Sequence, residues 1–102
     1  MNKISIIIVE SSDIMADGLA ALLNGNQDIK VTGKATSHNA LSQLLTTTPC
    51  DIVLLGPILS EKYPNDLRKE LKEDFPLTRF VEISLTDEQQ EIIGKIKLVN
   101  TE

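Results

Sequence analysis

The sequence is poor in aromatic residues: it has no tryptophan, one tyrosine and two phenylalanines, which together make up 3% of the chain. The core must therefore be built from aliphatic side chains, and stacking of aromatic rings on nucleic-acid bases is not expected. Cysteine is nearly absent as well, because Cys50 is the single one. One cysteine cannot form a disulfide within the chain, and this favours a reducing, cytoplasmic setting.

Positive charge and long hydrophobic runs are also scarce. The chain has 10 lysines and arginines against 15 aspartates and glutamates, which gives a net charge of −5. This charge opposes direct binding to nucleic acid or to an anionic membrane. The apolar run Ile4–Val9 is too short for the hydrophobic region of a signal peptide, and no run is long enough to cross a membrane. We therefore expect a protein that contacts neither nucleic acid nor a membrane directly.

What the sequence does contain is an alternation of strand patterns and helix patterns. Apolar residues make up 41% of the chain, and its 102 residues suffice for one domain with a buried core. The predicted strands are Ile4–Val9, Ile29–Ala35, Asp51–Leu55 and Phe80–Leu85. Repeated β-α units of this length predict an α/β fold over residues 1–102, with a parallel sheet and helices on both of its faces.

Local signals mark where the helices between these strands begin and end. The expected N-terminal caps are Ser11 or Ser12, Ser37, Asn65, and Thr86 in a capping box with Gln89. Asn24-Gly25 predicts a left-handed stop for the first helix. The segment "KIKLV" after Gly94 fits either a short fifth strand or the end of the last helix.

The residues that follow the predicted strands are the ones to examine for chemistry. In a parallel sheet of this kind, ligands bind beyond the carboxyl ends of the strands, where the strand order reverses. The residues at these positions are Glu10-Ser11-Ser12, Gly56-Pro57 and Ser84 to Thr86. Asp51 stands at the start of its strand, and we expect it at the opposite end of the sheet.

Taken in order, these segments resemble the receiver domains of bacterial response regulators. The nearest likeness is to the branch that carries a LuxR-type helix-turn-helix, and it extends over about residues 3–86. The segments that carry it are ISIIIVESSDIMADGLAALL, with a Gly-Leu-x-x-Leu-Leu rhythm at Gly18 to Leu23, IKVTGKATSHNAL, CDIVLL and PLTRFVEIS. The resemblance implies a flavodoxin-like, receiver-like fold.

The resemblance also assigns positions in the phosphorylation site of active receivers. There, an acidic pair holds Mg²⁺, an aspartate takes the phosphoryl group, a threonine or serine senses the phosphate, and a lysine completes the site. The matching residues are Glu10 and Ser11 for the acidic pair, Gly56 for the phosphoacceptor, and Ser84 for the threonine or serine. The lysine has no match, because Asn100 falls near its place and Lys97 fits only after a shift of register.

These departures predict a receiver that cannot be phosphorylated. Gly56 has no side chain on which an acyl phosphate can form. Glu10 with its neighbouring hydroxyls is only a weak candidate for Mg²⁺, so we expect no metal and no other cofactor. The plainer interpretation of Glu10 and Ser11 is a strand-end carboxylate beside a helix cap. The expected function is a pseudo-receiver that acts by protein–protein contact in signal transduction or transcription control.

Two alternatives stay open at this point. In the first, the space left above Gly56 accepts a small ligand or anion, because nearby helix N-termini favour negative charge. In the second, the sheet carries an enzyme, although no glycine-rich phosphate loop, Ser/His/Asp set or metal cluster supports it. We therefore expect no enzymatic activity.

The C-terminal part of the chain directs attention to association. An intact receiver is longer and ends with a fifth strand and a fifth helix, so the resemblance implies a C-terminally abbreviated fold. An acid is unusual in a central strand, and Glu82 predicts a strand near the sheet edge or a facing partner. The candidate interface residues are Glu82, Ile92, Ile93, Ile96 and Leu98. We expect a homodimer through the last helix and the C-terminal segment, with other signalling proteins as further partners.

Overall fold

The structure, a computed structural model, describes residues 3–62 and 66–101. This part of the chain contains four strands and five helices, and two consecutive helices lie between the third and fourth strands. The strands are β1 (Ile4–Val9), β2 (Ile29–Ala35), β3 (Ile52–Leu55) and β4 (Arg79–Glu82). The helices are α1 (Asp13–Asn24), α2 (His38–Thr47), α3 (Pro57–Lys62), α4 (Asp66–Asp74) and α5 (Gln89–Asn100). None of these described helices is long and apolar enough to cross a membrane.

The four strands are parallel and lie in the order β2-β1-β3-β4. β1 and β3 occupy the centre, and their unbroken apolar sequences follow from this position, because a central parallel strand is covered by helices on both faces. The last four residues of β1 and all four of β3 are buried. The predicted α/β fold with a parallel sheet is therefore confirmed. β4 lies at an edge of the sheet in the described residues, as Glu82 led us to expect.

The core consists of two layers, one on each face of the sheet. Ile6 and Ile8 of β1 point towards α1 and α5, whereas Ile7 and Val9 point towards α2, α3 and α4. The α1 layer also contains Ala16, Leu19, Leu23, Ile29, Ile52, Leu54, Val81, Ile83, Ile92 and Ile96. The α2 layer also contains Ala35, Leu41, Val53, Leu55, Leu59 and Leu71. The buried residues of both layers are aliphatic, as the scarcity of aromatic residues predicts.

The last helix, α5, lies on the same face of the sheet as α1. Its residues Ile92 and Ile96 are 4% and 0% exposed and belong to the α1 layer. The connections from β2 to β3 and from β3 to β4 run in one direction, and as right-handed crossovers they place their helices on the α2 face. A further crossover in that direction would also need a helix on the α2 face. α5 therefore lies on the face opposite to the one that such a crossover would use, and "KIKLV" is helical.

β2 is confirmed as a strand, but its regular alternation is interrupted. Ile6 pairs with Val31 and Ile7 pairs with Gly33, so Thr32 is an extra residue in β2. Such a bulge changes the face to which the following side chains point. The apolar side chains before the bulge pack in the α1 layer, and the buried one after it packs in the α2 layer. A plain alternation would have kept them all on one face.

Two of the predicted helix caps are confirmed. At the start of α1, the Ser12 hydroxyl oxygen accepts the Met15 N–H at 3.3 Å. At the start of α2, the Ser37 hydroxyl oxygen accepts the Ala40 N–H at 3.2 Å. Each serine satisfies a backbone donor that has no partner within its helix. The predicted cap at Asn65 lies outside the described residues.

Two other local predictions are wrong. Gly25 has a φ of −70°, and no residue in the described ranges has a positive φ, so α1 does not end on a left-handed residue. At α5, the capping residue is Glu88, whose N–H donates to the Glu91 carboxylate at 3.3 Å. The expected box of Thr86 with Gln89 is not formed, because the helix begins two residues later than that box requires.

The connection from β3 to β4 also differs from the prediction. α3 was not expected, although its first residue, Pro57, is a favourable start, because the first turn of a helix needs no N–H at that position. At the other end of the connection, β4 is shorter than predicted. It ends at Glu82, and Ile83 to Leu85 already belong to the following loop.

Candidate functional site

The carboxyl ends of β1 and β3 form the candidate site. Val9 pairs with Leu55 at these ends, so that Glu10 and Gly56 follow side by side. The Gly56 N–H donates to the Val9 carbonyl at 2.8 Å, and the Glu10 N–H donates to the Ala35 carbonyl at 2.9 Å. These bonds continue the sheet by one residue and fix the backbone that carries both predicted site residues.

The Glu10 side chain is fully buried, with 0% exposure. Its Oε1 accepts the N–H of Ser11 at 2.8 Å and that of Leu59 at 3.0 Å, and its Oε2 accepts the N–H of Ile58 at 3.2 Å. The Ser11 hydroxyl lies 3.4 Å from Oε1. The ion pairs of the described residues do not include Glu10. Backbone donors therefore offset the cost of burying this carboxylate.

Glu10 occupies the space above Gly56. A Cβ atom placed on Gly56 would lie 2.1 Å from Oε2, 2.5 Å from Cδ and 2.8 Å from Cβ of Glu10. Atoms do not approach so closely, so the glycine is required here by space. Its φ is not positive, so the requirement is not one of backbone conformation. The expectation that the missing side chain leaves room for a ligand above Gly56 is therefore wrong, because Glu10 fills that room.

Ser84, the predicted phosphate-sensing position, lies in the loop that follows β4. Its side chain is exposed, its N–H donates to Asp87 Oδ2 at 2.9 Å, and its hydroxyl lies 3.0 Å from that of Thr86. These contacts stay within the loop. The structure thus brings Glu10 and Gly56 into direct contact, with Ser11 beside them. The hydrogen bonds of Ser84 to Asp87 and Thr86 do not connect it to these three residues.

Neither candidate for the missing lysine makes its contacts at the carboxyl ends of the strands, where Glu10 and Gly56 lie. Lys97 forms an ion pair at 3.1 Å with Asp28, which stands just before β2. The Asn100 carbonyl accepts a bond from Arg79, the first residue of β4, at 3.1 Å. Both contacts lie at the amino ends of the strands. Asp51 also lies there, as expected, because its carboxylate accepts bonds at the start of β1.

The loop after β4 contains a charged pair that the sequence analysis did not single out. Lys95 of α5 lies 2.6 Å from the Asp87 carboxylate. The hydrogen bond from Lys95, followed by that from the Ser84 N–H, lowers the pKa of Asp87 below its usual 3.8. Spacing gave no signal for this pair, because Asp87 precedes α5 while Lys95 lies in its second turn.

An open groove of about 330 Å³ lies at the amino ends of β3 and β4, with Leu45, Cys50 and Phe75 among its lining residues. Burial raises the pKa of the Cys50 thiol above its usual 9.0. A thiol that stays protonated at neutral pH is a poor nucleophile and a poor metal ligand. The Cys50 thiol of this groove is therefore not an activated nucleophile.

The metal-binding potential of the site is low. The described residues include no group of three or more His, Cys, Asp or Glu side chains that could hold a metal ion. Glu10, the weak candidate, directs both of its oxygens at backbone N–H groups, which a cation would have to displace. This geometry favours the plainer interpretation of Glu10 as a strand-end carboxylate. The expectation that the chain uses no Mg²⁺ stays a prediction.

The candidate interface residues fall into two groups. Ile92 and Ile96 are buried in the chain's own core, so they do not form part of an exposed surface. Ile93 packs partly against the same core, and Glu82 is partly buried on the edge strand. Leu98, at 66% exposure, is the one that lies clearly on the outer side of α5. On a helix, Ile92, Ile93 and Ile96 share one side and Leu98 falls on the other, but the sequence prediction left open whether the segment with Leu98 was a strand or a helix.

Sequence comparisons and structure comparisons differ in what they find. No family model matches the chain, and no curated protein matches it. Solved structures do match. Salmonella enterica serovar Typhimurium RcsB, bound to promoter rprA in the presence of the phosphomimetic BeF3−, is 13% identical with a TM-score of 0.76, over 98% of this chain and 61% of that chain. The chain has the receiver fold.

Further neighbours support the same fold. A LuxR family DNA-binding response regulator from Silicibacter pomeroyi is 19% identical with a TM-score of 0.72, over 96% of this chain and 91% of that chain. A chain from the complex of the CheA3 P1 domain with CheY6 from R. sphaeroides is 13% identical with a TM-score of 0.65, over the full length of both. The chain spans only about half of a second RcsB structure, at 50% of that chain.

Proposed function

We propose that the chain is an atypical, receiver-like module that acts in signal transduction or transcription control by protein–protein contact. It does so without phosphoryl transfer to the end of β3 and without enzymatic activity of its own. Its setting is the cytoplasm. The receiver fold of the neighbours supports a role in response-regulator signalling, and the arrangement at Gly56 supports independence from phosphorylation.

The observation that carries this proposal is the contact between Glu10 and Gly56. A phosphoacceptor needs a side-chain carboxylate at the end of β3, and Gly56 has no side chain. The volume that such a side chain would occupy is taken by Glu10, whose oxygens are held by backbone N–H groups. A phosphoryl group placed there would meet a buried negative charge rather than a Mg²⁺ site.

Exposed apolar side chains support contact with other proteins. Ile14 and Leu85 are exposed beyond the carboxyl ends of β1 and β4, and Leu98 is exposed on α5. Exposed apolar side chains are available for contact with a partner protein. The CheA3 P1–CheY6 complex among the neighbours shows a receiver-type chain with a signalling partner, which supports partners of this class.

The direct test of phosphorylation independence is incubation with acetyl phosphate and Mg²⁺, followed by intact-mass measurement. We expect no phosphoryl adduct. The positive control is a receiver domain that keeps its aspartate at the end of the third strand, incubated in parallel with the same reagents. An adduct on the unaltered chain that survives replacement of Ser11, Ser12 and Ser84 by alanine would contradict the proposal.

The proposed homodimer involves the outer side of α5, where Leu98 is exposed. Replacement of Leu98 by lysine places a charge on this surface and should convert the dimer into a monomer. Sedimentation equilibrium measures the change. Ile14→Lys is the matched control, because Ile14 is 87% exposed at the start of α1, after the carboxyl end of β1, whereas the end of α5 lies at the amino ends of the strands. A chain that sediments as a monomer at all concentrations removes the case for this association.

A ligand-sensing role is less well supported than it was by sequence alone. It depended on free space above Gly56, and Glu10 occupies that space. A ligand there would have to displace a carboxylate that accepts backbone N–H bonds. The receiver-like contact module is therefore the function that the geometry supports best.

A further inference from the structure

Glu10 and Gly56 follow different strands, yet side chains at these two positions compete for the same space, so the residue at one position limits which residue fits at the other. The closest approach of a Cβ on Gly56 is to the end of the Glu10 side chain, at 2.1 Å, but Cβ of Glu10 itself is also only 2.8 Å away. The obstruction therefore includes the base of the side chain as well as its flexible end. A rotation of the carboxylate alone would not make room for a residue larger than glycine.

The same carboxylate holds the loop from β3 to α3. The N–H groups of Ile58 and Leu59 lie in the first turn of a short helix and have no partner within it. Glu10 accepts both, at 3.2 Å and 3.0 Å, one with each oxygen. Leu59 is buried in the α2 layer, so the bond to its N–H is protected from water.

We propose that Glu10 and Gly56 form an interdependent pair in which the Glu10 carboxylate serves as an internal anion. It takes the place above β3 and fixes the β3–α3 loop in a single conformation. The loop then has no second state for a phosphoryl group or a free anion to stabilise. This inference rests on the proposed function, because it gives that function its physical basis: a module whose switch position is permanently occupied.

A double-mutant cycle tests the pair. Gly56→Ala in the unaltered chain should lower the Tm by about 10 °C, because the added Cβ displaces Glu10 and leaves the buried N–H groups without an acceptor. In a Glu10→Gly background, the same Gly56→Ala change should shift the Tm by about 3 °C or less. Glu10→Gly is preferred to Glu10→Ala, because alanine would keep the Cβ that lies 2.8 Å away.

Two other glycines serve as matched controls. Gly18 has no atom within 4 Å of the Cβ position, so Gly18→Ala in α1 should leave the Tm unchanged or raise it. Gly33 would place its Cβ 2.7 Å from a terminal carbon of Leu44, which is a flexible side chain that can move. The Tm change caused by Gly33→Ala should lie between those of Gly18→Ala and Gly56→Ala. The proposed pair is refuted if Gly56→Ala changes the Tm no more than Gly18→Ala does. It is also refuted if Gly56→Ala lowers the Tm as much in the Glu10→Gly background as in the unaltered chain.

Hydrogen exchange on the unaltered chain keeps the inference testable if Glu10→Gly does not fold. The amides of Ile58 and Leu59 should exchange at least about tenfold more slowly than unprotected amides, since Glu10 is their acceptor. Glu10→Asp, whose side chain is too short to reach both, should remove this protection. Unprotected amides in the unaltered chain would overturn the proposed pair.

Added anions separate this inference from the proposed function. The amide NMR signals of Gly56, Ile58 and Leu59 should stay unchanged when BeF3− and Mg²⁺ are added to the unaltered chain. A change there with no phosphoryl adduct in the mass measurement would overturn the internal anion and leave phosphorylation independence standing. An adduct that survives replacement of Ser11, Ser12 and Ser84 by alanine would overturn the proposed function itself.

Discussion

The two ends of the central strand pair are each tied by a carboxylate, and the ties differ. At the carboxyl end, the side chain of Glu10 after β1 binds the backbone after β3, and it is fully buried. At the amino end, the exposed Asp51 before β3 accepts the N–H and the hydroxyl of Ser5 in β1, at 2.9 and 3.1 Å. Water can replace the partners of Asp51 but not those of Glu10. Similar chemistry should therefore contribute differently to stability at the two ends.

The largest expected effect is that of Glu10→Gln. The amide keeps the size of the side chain but presents one N–H₂ group to backbone donors, so at least one buried N–H loses its acceptor. Because each such loss costs roughly 1–3 kcal/mol, we expect the free energy of unfolding to fall by about 3 kcal/mol, as measured by urea denaturation. A change of less than about 1 kcal/mol would mean that the buried N–H groups have other acceptors.

The smaller effect is expected at the other end, for Asp51→Asn. The amide oxygen of the new side chain would still accept from Ser5, and water would compensate for what is lost, so the free energy of unfolding should fall by about 1 kcal/mol or less. The same urea denaturation serves for both variants. If Asp51→Asn were as costly as Glu10→Gln, exposure would not be what distinguishes the two ends.

Much of the fold could be predicted from the sequence, because the central strands have a pattern that few other elements share. β1 and β3 are apolar on both faces, and their ends located Glu10 and Gly56 correctly. The bulge at Thr32 could not be predicted, since one extra residue leaves the apolar pattern of β2 almost unchanged. The face taken by α5 depends on the path of the chain after β4, and spacing within a helix does not encode that path.

The candidate site was predicted less completely, for a different physical reason. Sequence reasoning could place a carboxylate beside a glycine, but the partners of that carboxylate are backbone N–H groups of Ile58 and Leu59. Every residue except proline has such a group, so no residue type marks them. Pro57 was the available signal, because a proline at that position predicts the start of a helix whose next N–H groups point outward.

The smallest expected effect concerns a second carboxylate near the carboxyl edge, Asp87. Its pKa is lowered mainly by the hydrogen bond from Lys95, so the contact stabilises the folded chain above the unfolded value of 3.8. That contribution should be lost as the pH falls through the folded pKa, below 3.8.

An NMR titration of the Asp87 carboxyl carbon measures this pKa directly. We expect a midpoint below 3.8 in the unaltered chain, and a shift towards 3.8 in Lys95→Met, which removes the ammonium group and keeps the length of the side chain. Lys97→Met is the matched control, because Lys97 pairs with Asp28 at the other end of the sheet. A midpoint that Lys95→Met leaves unmoved would show that the loop backbone alone lowers the Asp87 pKa, and that the charged pair does not hold α5 to the carboxyl edge.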